Sequence, residues 1–158
     1  MAKKSNKRKF AKMEGDFVVF LIGMRINSFL KINKWLPVAM SMPKMLKELY
    51  SNSDSGFLGA PAWFGRTTIM VQYWRSFEHL EAYAKDKSGE HFPAWKNFNL
   101  KVRSSNAVGV WHESYKAQAG TYENIYVNMP EFGLGKAGEL LTISEKYEEA
   151  RQRITSAI

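Results

Sequence analysis

The sequence predicts an α+β domain, a ferredoxin-like βαββαβ sandwich with helices on one face of an antiparallel sheet. Two observations carry this. Strand-type and helix-type patterns follow in the order strand, helix, strand, strand, broken helix, strand. The first strand is also apolar on both alternating faces, so its second face needs a cover of its own. The expected cover is the sheet of a second subunit packed face to face, hence a homodimer.

The elements read in order as follows. "DFVVFLIGMRI" (16 to 26) is rich in β-branched and aromatic residues and predicts the buried first strand. "NKWLPVAMSMPKMLKELYS" places Trp35, Val38, Met42, Met45, Leu46 and Leu49 at helical spacing behind an Asn33 cap. Pro43 removes a backbone donor in mid-helix and is expected to kink or divide it. The turn formers "SNSDSG" then lead to "FLGAPAWFG" and a strand over 66 to 75, together a hairpin. Ser76 caps the helix "FEHLEAYAKD". In "GEHFPAWKNFN", His91, Ala94, Trp95, Phe98 and Val102 share one helical face, with Pro93 in the first turn. "NAVGVWHESYKA" (106 to 117) is the last sheet strand. "TYENIYVNMPEFGLGKAGEL" reads as half strand and half glycine-punctuated loop, and "ISEKYEEARQRI" as a closing helix. The organisation is a basic tail without structure over 1 to 14, a domain over 15 to 128, and an extension over 129 to 158.

Composition narrows the function classes. The 158 residues allow a single domain with an ample core, and 14% aromatic residues exceed what such a core requires, which suggests a ligand pocket or an interface. Having no cysteine excludes thiolate nucleophiles, thiolate metal sites and redox dithiols. The net charge of +8 is carried mainly by Lys3, Lys4, Lys7, Arg8, Lys9 and Lys12; the rest sets 17 basic against 15 acidic residues. Such a body offers no specific nucleic-acid face, and the tail at most makes weak contact with anionic surfaces. No stretch is long and apolar enough for a transmembrane segment, and a cytoplasmic location is expected. "GLGKAG" lacks the strand and the Ser or Thr of a phosphate loop, and no GxSxG elbow or HxxxH pair occurs.

Three histidines remain as chemical candidates. His79 lies off its helix stripe and reads as a surface or capping residue. His91 stands at the lip of its helix, and His112 lies on a strand face with Val110 and Ser114, away from Glu113. A neutral imidazole in either place suits a general base near neutral pH or a satisfied core hydrogen bond. Tyr122, Asn124, Tyr126 and Asn128 alternate with Glu123, Ile125 and Val127, a polar row fit for a pocket wall or a dimer rim.

"YWRSFEHLEAYA", "HFPAWKNF", "VGVWHESY" and "GTYENIYVNMPEFGLGKA" together resemble a domain-of-unknown-function family grouped with the fungal fumagillin-pathway monooxygenase. That group lies within the dimeric α+β barrel superfamily, beside the antibiotic-biosynthesis monooxygenases. The resemblance runs from about Gly15 to Ala137. It implies a dimer closed through its sheets, with a pocket between sheet and helices in each subunit. It further implies a cofactor-independent monooxygenase acting on an aromatic or polyketide-like molecule. The residues themselves, and not the resemblance, offer His91 or His112 as base for such a reaction. Tyr73, Trp95, Phe98, Trp111, Tyr122, Asn124 and Tyr126 are the candidate substrate contacts. The alternatives are a haem protein of the aldoxime dehydratase type, with His91 or His112 as axial ligand, and a non-catalytic small-molecule binder.

Overall fold

The computed structural model describes residues 7–155. Its centre is an antiparallel sheet built on the two longest strands, β2 (Phe17–Ile26) and β6 (Val108–Ala117), which pair along their whole length from Phe17 opposite Ala117 to Ile26 opposite Val108. On its other side β2 pairs with β5 (Ile69–Trp74), and the short strands β3 (Phe57–Gly59) and β4 (Ala62–Trp63) both pair with β5. The resulting order, β3-β5-β2-β6, is the ferredoxin-like arrangement that the element order predicts, with β3 and β4 sharing the place of one strand.

One face of this sheet is covered by α1 (Ile32–Ser51), α2 (Phe77–Lys85) and α3 (His91–Asn97), the last continuing as a π-turn over Phe98–Val102. Helix α1 runs unbroken through Pro37 and Pro43, contrary to the expected division. Both prolines are exposed, so the carbonyls they leave without donors lie on the side reached by water. The predicted Asn33 cap is also displaced: Lys31 holds the cap position, without a side-chain bond. The Ser76 cap of α2 forms as expected, its hydroxyl accepting from the His79 N–H, and His79 Nδ1 lies 2.9 Å from the same oxygen.

The opposite face differs from expectation. Lys9–Lys12, assigned by sequence to a tail without structure, form strand β1 and pair with β7 (Glu139–Thr142), while Lys3 and Lys4 lie outside the described residues. Phe10, Ala11 and Met13 are buried, and that burial orders the segment despite its charge. With helix α4 (Leu134–Ala137), Ala11 and Met13 pack on Phe17, Val19 and Tyr73, while Phe10 meets the Tyr147 ring. The chain's own ends thus cover part of the face expected to wait for a second subunit. The region read as a closing helix is a 3₁₀ turn at Glu145–Tyr147 followed by α5 (Ala150–Thr155). Among the described residues no helix is long and apolar enough to cross a membrane.

Candidate functional site

Strand register fixes which side chains look at the helices. Phe20, Ile22 and Met24 of β2 stand opposite Ser114, His112 and Val110 of β6, and Phe20 and Ile22 also face Gln72 and Met70 of β5. Directly opposed residues share a face, so these form one floor. At one end of the floor Val18, Trp74, Leu49 and Leu80 make a closed apolar cluster; at the other, Met24, Val102, Ala107 and Val108 make a second. Between them the helices present Ala39, Ser41, Ala84 and Ala94, too short to reach the strands. The result is a cavity of about 730 Å³ dividing the core. A hollow of that size, walled mainly by apolar groups, is a small-molecule site by its dimensions.

Its polar groups are few. Gln72 is 4% exposed in the floor, with Oε1 accepting from Trp74 Nε1 at 3.0 Å. The indole N–H requires an acceptor, which fixes the amide's orientation and leaves Nε2 with only the Met70 thioether at 3.5 Å. That weak partner leaves an amide donor available to a ligand. Sequence reasoning passed over Gln72, although a glutamine between Met70 and Trp74 on a buried strand face was the available signal.

His91 borders the cavity from the first turn of α3, as its spacing predicts. Its Nδ1 is buried with no hydrogen-bond partner, and burial holds its pKa below the ordinary imidazole value, opposed by the Ala84 carbonyl and the Glu48 charge. The adjacent Tyr83 ring lies 5.9 Å away, and its hydroxyl donates to Glu48 Oε2 at 3.0 Å. Burial first, and the Glu48 carboxylate second, push the Tyr83 phenol well up, so it keeps its proton. Glu48 also accepts from the Glu90 N–H just ahead of α3. The cluster thereby fixes the helix lip.

His112 has a different setting. It is exposed on the edge strand β6, 5.6 Å from the Phe20 ring, and makes no hydrogen bond among the described residues. Glu113 points to the other face, where Tyr115 donates to it at 2.6 Å, as strand alternation requires. Trp95 and Phe98 line the cavity too. Trp111, from the opposite face, lies over Gly23 and borders the same space with Nε1 buried and unpaired. A side chain at Gly23 would collide with the Thr68 carbonyl and this indole.

Four predicted contacts do not reach the cavity. Tyr73 shares the far face with Val19, its register partner, and packs on the cluster around Phe17 and Leu134. The polar row is not a strand but an extended segment joined to β1 by one bridge, Lys9 with Tyr126. Its side chains bond backbone: Tyr122 accepts from the Met13 N–H, Asn124 both accepts from and donates to Ala11, and Tyr126 accepts from the Gly135 N–H. Their alternation marks a clamp on the terminal segments. Among the described residues no three of His, Asp and Glu converge as metal ligands.

Comparison with known proteins adds lineage. A family model described as monooxygenase af470-like matches residues 17–134. The monooxygenase af470 of Aspergillus fumigatus is 25% identical over 142 residues, which is 84% of this chain and 50% of that protein, so the chain spans half of its curated relative. Among solved structures, an aldoxime dehydratase matches 96% of this chain with 44% of its own, at TM-score 0.62 and 13% identity, a likeness of fold. SnoaB, a cofactor-independent oxygenase from Streptomyces nogalater, overlaps 65% of this chain and 94% of its own at TM-score 0.47 and 9% identity. The chain belongs to the monooxygenase af470-like family.

Proposed function

We propose that this member of the monooxygenase af470-like family is a small-molecule monooxygenase that oxidises an aromatic or polyketide-like substrate without a cofactor. The observation that carries the reading is the divided core: an apolar hollow of about 730 Å³ with an unbonded imidazole on its floor and an amide donor beneath it. The family relationship supports the reaction class.

His112 is the better base of the two, because its ring is free while His91 has its Nδ1 sealed from solvent. In this reaction the imidazole takes a proton from an acidic CH₂ beside a carbonyl or phenol. Gln72 Nε2 donates to the oxygen on which the charge develops. The carbanion passes one electron to O₂, the radical pair combines as a peroxide, and the imidazolium returns the proton. Loss of water from that hydroperoxide leaves a ketone, so CH₂ and O₂ become C=O and H₂O. His91, held neutral by burial and seated on Tyr83, shapes the wall. A second copy of the chain is the proposed partner, covering the far-face residues Leu21 and Val71 that the terminal segments leave half-exposed. The lack of cysteine suits a reducing, cytoplasmic setting.

The fold likeness to an aldoxime dehydratase favours a second reading, haem. The donor set fits at one point: His112 offers an unbonded ring on the open side of the cavity, while the sealed Nδ1 of His91 does not. A haem held there would supply the reacting iron, with Gln72 and the apolar walls orienting the substrate. A non-catalytic binder would use the same cavity without turnover.

Oxygen uptake with a panel of aromatic substrates bearing an acidic CH₂ separates the three readings. The expected result is one ketone formed per O₂ consumed, with the rate reduced roughly 10² to 10⁴-fold in His112→Ala. Full turnover in that variant would remove the mechanism. A Soret band on haem addition, lost in His112→Ala, would establish the haem reading, and tight ligand binding with neither result would leave a binder.

A further inference from the structure

Three acid-free segments meet at one end of the sheet. No Asp or Glu stands between Asp16 and Glu48, between Asp54 and Glu78, or between Glu90 and Glu113. Their loops gather where β2 ends and where β5 and β6 begin. Backbone bonds join Ile26 to Arg66 and Asn27 to Ala107. Lys31 Nζ donates to the Ser105 carbonyl and Lys34 Nζ to that of Lys101. The Arg66 guanidinium lies 5.8 Å over the Phe29 ring. Arg25, Lys31, Lys34, Arg66, Lys101 and Arg103 are thus collected without a carboxylate on any of these loops. The near balance of charge along the folded body conceals this spatial separation.

Large apolar side chains project among the cations. Leu30 is 96% exposed, Phe64 86%, Leu100 70% and Phe29 54%. Ile32 and Leu36, one helical turn apart, continue the exposed apolar surface along the start of α1. Burial energetics disfavour leaving such tips in water, and their position at the strand ends keeps them off both sheet faces.

We infer that this end of the molecule docks on an anionic membrane surface, with Leu30, Phe64 and Leu100 entering the headgroup–acyl boundary and the basic residues meeting lipid phosphates. Apolar tips set in a ring of cations match both layers of such an interface. A nucleic acid would complement the charge but offers nothing to the aliphatic tips, since its single-strand sites are read through stacking on aromatic rings. Phe64 and Arg103 also line the cavity, so an apolar ligand would pass from bilayer to cavity over this edge. That last consequence rests on the proposed function, whereas the docking does not.

Co-sedimentation of the full chain with vesicles tests the inference without any substrate. The expected result is binding to an equal mixture of phosphatidylcholine and phosphatidylserine at low salt, weakened by salt and much weaker on phosphatidylcholine alone. Leu30→Ser combined with Leu100→Ser, neither lining the cavity, lowers binding about tenfold or more, as does Lys31→Gln combined with Lys101→Gln. Lys3→Gln combined with Lys4→Gln binds as the wild type does. No binding to the mixed vesicles would overturn the inference. So would binding lost with the tail lysines but kept by the leucine variant, or equal binding of an RNA oligonucleotide by wild type and leucine variant. Light scattering that shows a wild-type dimer falling apart in the leucine variant would assign the patch to a second copy instead.

Discussion

The two faces of the central sheet are made from alternate residues of the same strands and end in opposite states. On the helix face, Phe20 and Ile22 of β2 look into a hollow; on the other, Phe17 and Val19 meet β1, α4 and the Tyr122 to Tyr126 segment in close contact. Both sides of β2 are apolar, so hydrophobicity does not distinguish them. The difference lies in the covers. Helices set over the floor with Ala39, Ser41, Ala84 and Ala94 leave space, whereas terminal segments bring Leu134, Tyr122 and Tyr126 down onto the strands and lock them by side-chain bonds to backbone. A binding site arises here where cover residues are too short to close the core.

The sharpest way to break this contrast is to truncate one fully buried residue at the closed end of the cavity and one half-buried residue of its helix wall. Trp74 is fully buried and donates to Gln72, so Trp74→Ala costs about 3 to 5 kcal/mol. Met42 borders existing empty volume, and Met42→Ala costs below about 1.5 kcal/mol. Urea unfolding measures both, and equal losses would mean that the hollow is filled by repacking. On the far face, Asn124→Ala removes two bonds to Ala11 and leaves its backbone groups unpaired, at about 1 to 3 kcal/mol. Fluorescence titration of an apolar dye in the same variant should give an unchanged Kd, because the clamp lies behind the sheet; a weakened Kd would tie the row to the cavity after all.

The smallest effect is a pH dependence confined to the hollow side. Burial lowers the His91 pKa from the ordinary 6.5. The unfolded chain then takes up a proton that the folded one resists, so stability falls as pH drops from about 6.5 toward the folded value and is level below it. His91→Phe removes this part of the slope, visible in urea midpoints at pH 7.5 and 5. An unchanged slope would place the imidazole in water.

The sequence by itself determined the sheet and its helices. Period-2 and period-3.6 patterns, the Ser76 cap and the turn residues of 51 to 56 are local signals, and they placed β2, β5, β6, α1 and α2 and put His112 and Glu113 on opposite faces. Those signals also put His91 at a helix lip with Trp95 and Phe98 on the cavity side. They misread Tyr73, Tyr122, Asn124 and Tyr126, because alternation tells which residues share a face but not what lies across from them. Only the tertiary structure decided that β1 would close the far face, that a cavity would open over the Gln72 amide, and that loops distant in sequence would bring their cations to one end. The first and last depend on partners far along the chain, Leu140 for Ala11, and Ala107 and Arg66 for the end of β2, and the cavity depends on helices distant from β5, although the Gln72 amide itself is oriented by Trp74 and Met70 two residues to either side. Periodicity is set by neighbours a few residues away, whereas cover, cavity and charge clustering are set by contacts between segments that no local pattern encodes.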